Sequence, residues 1–256
     1  MKLSYFSDLH LEFQPVTGMT IVDYICNEKT KESICILAGD IGMIKNHTTI
    51  KDNHLLNQLK KFCAHFKHVI YVHGNHEYYK HSISEGQKDF QKRTASKLPN
   101  LHWLNDEVLV IEGQRFLGSI LWARMADDYN HGHWLNYVTI NCFDQISDLA
   151  QTMDRRNSYA EAFIRENLKK DDILITHFPA TRLNVDWRFT NSDTNWYYTN
   201  KLEELIFERQ PKLCISGHTH HSFDKVINDV RFVANPFGYF KHEENPHFSH
   251  EMVIDI

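Results

Sequence analysis

Five short segments place carboxylate, carboxamide or imidazole side chains directly behind an apolar run: Ser7-Asp8-Leu9-His10, Gly39-Asp40, Gly74-Asn75-His76-Glu77, Thr176-His177 and Gly217-His218-Thr219-His220. These side chains are ligands for divalent metals. In extended backbone two residues separated by one point the same way, so Asp8 with His10, and His218 with His220, can grip one ion or two adjacent ions. A single run of this kind is weak evidence and reads more readily as a solvated loop or as a histidine capping a strand end. Five in one chain carry more weight, because the strand ends of an α/β sheet open onto one crevice where residues distant in sequence converge. Imidazole mixed with carboxylate suits Mn, Fe, Zn or Ni better than the all-oxygen shells preferred by Mg or Ca.

The elements that must deliver these groups follow from apolar patterning. Residues 3–7, 34–38, 69–72, 173–176 and 213–216 read as short strands, each ending at one of the segments above. Leu55, Leu56, Leu59, Phe62, Cys63 and Phe66 recur at helical spacing behind Asp52 or Asn53 as a cap. Further helices are predicted over 85–97, stopped by Pro99, and over 147–168 and 201–208. Residues 108–111 and 116–121 alternate around Glu112-Gly113-Gln114 as a hairpin, and 230–234 and 252–256 close the chain as strands. Residues 122–144 and 184–200 have little periodicity and much polar and aromatic content, which marks them as candidate lids.

A chain of 256 residues, 42% hydrophobic and 24% charged, is expected to fold as a single domain over 1–256. No apolar stretch reaches membrane-spanning length, and Asp8, His10 and Glu12 interrupt any signal-like core, so a cytoplasmic protein with no membrane partner is expected. Five cysteines, an odd number with no CxxC pair, argue for free thiols. With 28 basic and 33 acidic residues the formal charge is −5, which implies no general polyanion-binding surface. Histidine, at 18 residues, outnumbers glycine at 10, in keeping with imidazole ligation.

In their order DxH, GD, GNH[DE], H and GHxH, the segments resemble the signature of the calcineurin-like metallophosphoesterase superfamily, and they span most of the chain, from Asp8 to His220. Leu121-Trp122, Asn141 and Asn235-Pro236-Phe237-Gly238-Tyr239 look like its bacterial or phage branch. The resemblance implies an α/β (α+β) fold of two packed mixed β-sheets flanked by helices, a four-layer sandwich. It also implies two divalent transition metals, manganese among the candidates. By position, Asp8, His10, Asp40 and His220 would take one metal, and Asp40, Asn75, His177 and His218 the other, with Asp40 bridging. Two dications less two aspartates leave about +2, or about +1 after a bridging hydroxide, an attractive well for phosphate. The implied activity is hydrolysis of a phosphate ester by in-line attack of a metal-bound hydroxide, with His76 protonating the leaving oxygen or bonding the phosphoryl oxygens.

Other residues stand apart from this signature. His73, where the family often has proline, and His221 read as surface or strand-end histidines. Trp122, Arg124, Asn141 and Tyr239 are candidate substrate contacts, although Trp122 and Tyr239 read equally as core aromatics. Gly39-Asp40 runs into Ile41-Gly42-Met43-Ile44 and not toward a DRG sequence, which disfavours a protein phosphatase. The expected partner is a small phosphorylated substrate, a nucleotide by preference. A nuclease of the same superfamily is the alternative, disfavoured with nucleic acid generally by the absence of a dense basic cluster, and a non-catalytic scaffold stands behind it.

Overall fold

The computed structural model describes residues 1–44, 54–80, 82–94, 97–124, 143, 149–183, 185–192 and 195–256. Four parallel strands, β1 (Lys2–Phe6), β2 (Ile34–Ala38), β3 (Val69–Val72) and β4 (Leu101–Trp103), lie side by side in that order. A second sheet begins with an antiparallel hairpin, β5 (Glu107–Ile111) and β6 (Gln114–Ser119), and continues in parallel through β7 (Ile173–Thr176) and β8 (Leu213–Ile215). β9 (Phe223–Ile227) and β10 (Val230–Ala234) complete it in the order β5-β6-β7-β8-β10-β9. A small hairpin, β11 (Gly238–Tyr239) and β12 (Glu243–Glu244), follows, and β13 (Ile254–Asp255) returns antiparallel to the free edge of β1.

Alternation along the second sheet explains how the layers stack. Phe116, Ile173, Ile175, Leu213, Ile215 and Val233 point into a core shared with Leu3, Tyr5, Ile36 and Val69 of the first sheet. Their neighbours Leu117, Leu174, Cys214 and Phe232 point the other way, into a second core. That second core is covered by Ala160 and Ile164 of α4 (Leu149–Asn167) and by Leu205 and Ile206 of α6 (Glu203–Arg209). Period-2 side-chain geometry therefore yields one sheet–sheet layer and one sheet–helix layer. The earlier helices, α1 (Ile21–Ile25), α2 (His54–His65) and α3 (Ile83–Thr94), accompany the first sheet, and α5 (Asn195–Tyr198) is a single turn beside the site. α2 buries Leu55, Leu56, Leu59 and Phe62 on one stripe.

The architecture is the expected pair of mixed sheets flanked by helices. Several elements carried too weak a pattern to be anticipated. β4 is three residues with His102 at its centre, β9 is broken by Asp224 and Lys225 and mostly exposed, and α1 and α5 are each about one turn. The expected cap of α2, Asp52 or Asn53, falls outside the described residues, as does most of the first candidate lid.

Phe116 is fully buried between the sheets, so Phe116→Ala should destabilise the protein by about 3–5 kcal/mol. Val226→Thr on the exposed edge strand should stay within about 0.5 kcal/mol. Urea unfolding followed by circular dichroism checks both; equal midpoints for the two variants would contradict the layer assignment.

Candidate metal centre

Each ligand-bearing segment begins within a few residues of the carboxyl end of a strand, and short backbone bonds draw the ends together. Asp8 N–H donates to the Gly39 carbonyl (2.9 Å), His10 N–H to the Asp40 carbonyl (3.0 Å) and Gly217 N–H to the His177 carbonyl (3.0 Å). The two sheets are joined at this end through Ser7, whose N–H donates to the Asn235 carbonyl and whose carbonyl accepts from Phe237 N–H. The backbone here is strained: Asp8, His10, Asp40, His218 and His220 all have positive φ, between 44° and 68°. A non-glycine residue in that region costs about 1–3 kcal/mol and persists only where the surroundings enforce it.

Two glycines show why the motifs are spelled as they are. Gly39 has φ of +86°, and a Cβ there would lie 2.8 Å from the His177 Cβ and nearer still to its ring. A Cβ on Gly74 would meet the Asp40 carboxylate and come within 2.7 Å of His177 Nε2. Both positions are empty because ligand side chains fill the space.

With the rings neutral, the side-chain atoms are arranged as acceptors facing acceptors. His177 Nδ1 lies 3.0 Å from the Ala38 carbonyl and donates to it, so on the neutral ring it is Nε2 that carries the lone pair. That Nε2 is 3.0 Å from Asn75 Oδ1 and 3.4 Å from Asp40 Oδ2, and the Asn75 oxygen faces it because its Nδ2 donates to Tyr79 Oη (2.8 Å). Across the site His10 Nε2 and His220 Nε2 stand 3.0 Å apart, while their Nδ1 atoms face Glu12 (3.3 Å) and Glu243 (2.9 Å) respectively. His220 Nε2 is 3.5 Å from Asp8 Oδ1, and His218 Nε2 is buried with no hydrogen-bond partner. Nitrogen and oxygen lone pairs this close, with the second imidazole nitrogen already committed, are the donor set a cation requires. The residues fit two cations: three carboxylate–imidazole clusters occur among the described residues, two of them Asp8–His10–His220 and Asp40–His177–His218.

Charge follows geometry. Burial opposes a proton on His177, yet Asp40, with help from Asp8, lifts its pKa to about 9. Burial likewise opposes one on His220, and hydrogen bonds to Asp8 and Glu243 lift it to about 10. Burial and the neighbouring His177 drive His218 down to about 3. Around His76, burial is outweighed by Asp40 and Glu12, and the pKa rises.

All seven residues expected as ligands, together with His76, converge on this point. Asp40, Asn75, His76, His218, His220 and Tyr239 line a cavity of about 560 Å³, as does Asp186. Of the expected substrate contacts, Tyr239 is in place, its Oη 3.4 Å from His76 Nε2. Trp122 is not: it is buried against Phe143 and Phe178 and does not line the cavity. Arg124 is exposed and is absent from the lining too, and Asn141 lies outside the described residues. His73 corrects the surface reading, since it is fully buried, donates or accepts at Tyr78 Oη (2.7 Å) and stacks on Trp103. His221 is partly buried, 3.4 Å from Asp186. The second candidate lid, 184–200, supplies a cavity wall through Val185, Phe189 and Tyr198.

Three carboxylates received no role from the sequence. Glu77 accepts from the N–H groups of Asp40, Ile41 and Gly74 (3.1, 2.8 and 2.7 Å) and from Tyr71 Oη (2.5 Å), clamping the GD and GN turns together. Burial and Asp40 push its pKa up to about 7. Glu12 reaches His76 Nδ1 at 2.7 Å as well as His10; burial raises its carboxyl, and these two hydrogen bonds bring it down to about 2. Glu243 orients His220. Only Glu77 had a signal, the acidic residue closing Gly74-Asn75-His76-Glu77.

A two-sheet α/β scaffold with carboxylates and imidazoles at its strand ends defines a metallophosphoesterase architecture. The calcineurin-like phosphoesterase family model matches residues 1–222, and the chain belongs to that family. It is thus a phosphoester hydrolase. An uncharacterized protein of Acanthamoeba polyphaga mimivirus is 26% identical over 280 residues, covering 99% of this chain and 96% of its own. The solved phosphopantetheinyl hydrolase of Mycobacterium tuberculosis shares the fold, with a TM-score of 0.62 at 15% identity over 93% of this chain and 89% of that one. Among the described residues no helix is long and apolar enough to cross a membrane.

Proposed function

We propose that the protein is a binuclear metal-dependent phosphoesterase acting on small phosphate esters, nucleotides in particular. The observation that carries this reading is the pair of opposed acceptor sets, His10 Nε2 against His220 Nε2 and His177 Nε2 against Asn75 Oδ1, each 3.0 Å apart. Asp8, His10, Asp40 and His220 would hold one ion, and Asp40, Asn75, His177 and His218 the other. When bound, the ions supply Lewis acidity toward the phosphoryl oxygens and the attacking water; imidazole with carboxylate favours Mn, Fe, Zn or Ni.

The chain's own residues do the rest. Asp40 places a carboxylate between the two donor sets, and its Oδ1 is fixed by the His76 N–H at 2.8 Å. His76 presents Nε2 to the cavity while Nδ1 donates to Glu12, so its remaining proton points at the leaving oxygen. Water adds to phosphorus as its hydroxyl, the ester P–O bond breaks, the departing alcohol takes the His76 proton, and the proton given up by the water restores His76 for the next turnover. Tyr239 covers His10 and His76 and excludes bulk water. A small ester also accords with the name of the Mycobacterium neighbour, and the net charge of −5 disfavours a polymer.

Two outcomes test the reading. His177 and His220 titrate at about 9 and 10, above neutrality, so at pH 7.5 both carry protons that a cation must displace. Metal binding should therefore release about two protons, and affinity should climb by about one decade per pH unit for each proton until pH passes those values. Calorimetric titration of manganese in buffers of different ionisation enthalpy reads the release directly; none at all would contradict the ligand set. His76→Asn should keep its metals and lose about 10²- to 10⁴-fold in kcat for an alkyl phosphate, less for p-nitrophenyl phosphate, whose leaving group needs little protonation. Equal losses would reduce His76 to an electrostatic role.

A further inference from the structure

Beyond its metal-facing wall, the 560 Å³ cavity has a composition unlike that of an anion site. One side is formed by Phe13 and Tyr239, packed edge to face at 5.5 Å, with Tyr239 lying over the His10 ring at 4.4 Å. The lining also includes Tyr198, 5.2 Å from the His218 ring, and Phe189, which is half exposed. Two carboxylates face the same space. Asp186 is neutralised by Arg188, whose Nε and Nη2 donate to it at 3.0 and 2.7 Å, whereas Glu243 is hydrogen-bonded to the His220 imidazole at 2.9 Å and feels Arg188 only through space. Among the described lining residues there is no lysine or arginine.

Once they hold cations, the two donor sets would give the described lining its one strongly positive place. A phosphoryl group seated there finds compensation; a second phosphate attached to it would lie against aromatic side chains and the Glu243 carboxylate, with no lysine or arginine among the described lining residues to meet it. Four aromatic side chains in the lining, Phe13, Phe189, Tyr198 and Tyr239, instead favour a planar ring, because stacking on aromatic side chains stabilises any π-face. We propose that the substrate carries a single phosphoryl group on a nucleoside-like alcohol, its base held between Phe13–Tyr239 and Phe189–Tyr198, and that Glu243 turns away nucleoside diphosphates. This inference rests on the metallophosphoesterase reading of the same site.

The test uses the full chain loaded with manganese and compares p-nitrophenyl phosphate, adenosine monophosphate, ribose 5-phosphate, adenosine diphosphate and phosphocholine. Hydrolysis of p-nitrophenyl phosphate alone reports on the underlying reading, and its absence would overturn both. Given that activity, kcat/KM for adenosine monophosphate should exceed that for ribose 5-phosphate by about 10- to 100-fold, mainly through KM, as expected for one stacked base. It should exceed that for the diphosphate by about 10-fold or more. Phe189→Ala, at an exposed position, should bring the base-to-ribose ratio toward one, and Glu243→Gln should narrow the gap between mono- and diphosphate. Equal rates for adenosine monophosphate and ribose 5-phosphate, a preference for the diphosphate, or a preference for the cationic phosphocholine would each overturn the assignment.

Discussion

The structure is organised around a repulsion. Asp40, Asp8, Asn75 and the imidazoles of His10, His177 and His220 approach one another to 3.0–4.0 Å in a buried space, an arrangement that, with the rings neutral, sets lone pair against lone pair and destabilises a protein unless positive charge enters it. Protons answer part of the need, which is why His177 and His220 hold theirs so firmly. Divalent cations answer it better, since one ion satisfies several acceptors at once and leaves the imidazoles neutral.

Holding such a cluster falls to the backbone. Five ligand residues adopt positive φ, and two glycines leave room for the Asp40 and His177 side chains. Glu77 binds three N–H groups from two different motif turns, so the strain of one turn is supported by the other. Behind them, strands β1, β2, β3, β7 and β8 are buried along nearly their whole length, giving rigid ends from which the turns project. The rigid scaffold and the strained ligands are parts of one device.

Much of this was legible in the sequence, for physical reasons. The strands 34–38, 69–72, 173–176 and 230–234 have the boundaries that the apolar runs predict, because buried parallel strands admit few polar residues. The convergence of the candidate ligands was legible because their spacing follows strand ends. What could not be read depends on distance in three dimensions. Glu12 and Glu243 are ordinary acidic residues in the sequence and become imidazole partners only when the fold brings His76 and His220 to them. Trp122 looks like a pocket aromatic by position, but the chain turns it into the core beside Phe178. His73 follows a strand as a surface histidine would, yet an aromatic box of Tyr71, Tyr78, Phe90 and Trp103 closes over it.

The central claim is that two cations share the Asp40 carboxylate, and electron paramagnetic resonance of the manganese-loaded protein addresses it most directly. Two ions bridged by one carboxylate at the separation of about 3.5–4 Å usual for two-metal sites are exchange-coupled, so the account predicts a coupled dimanganese spectrum at two ions per chain that Asp40→Ala abolishes. A fully loaded protein showing only the six-line spectrum of isolated Mn²⁺, at one ion per chain, would contradict it.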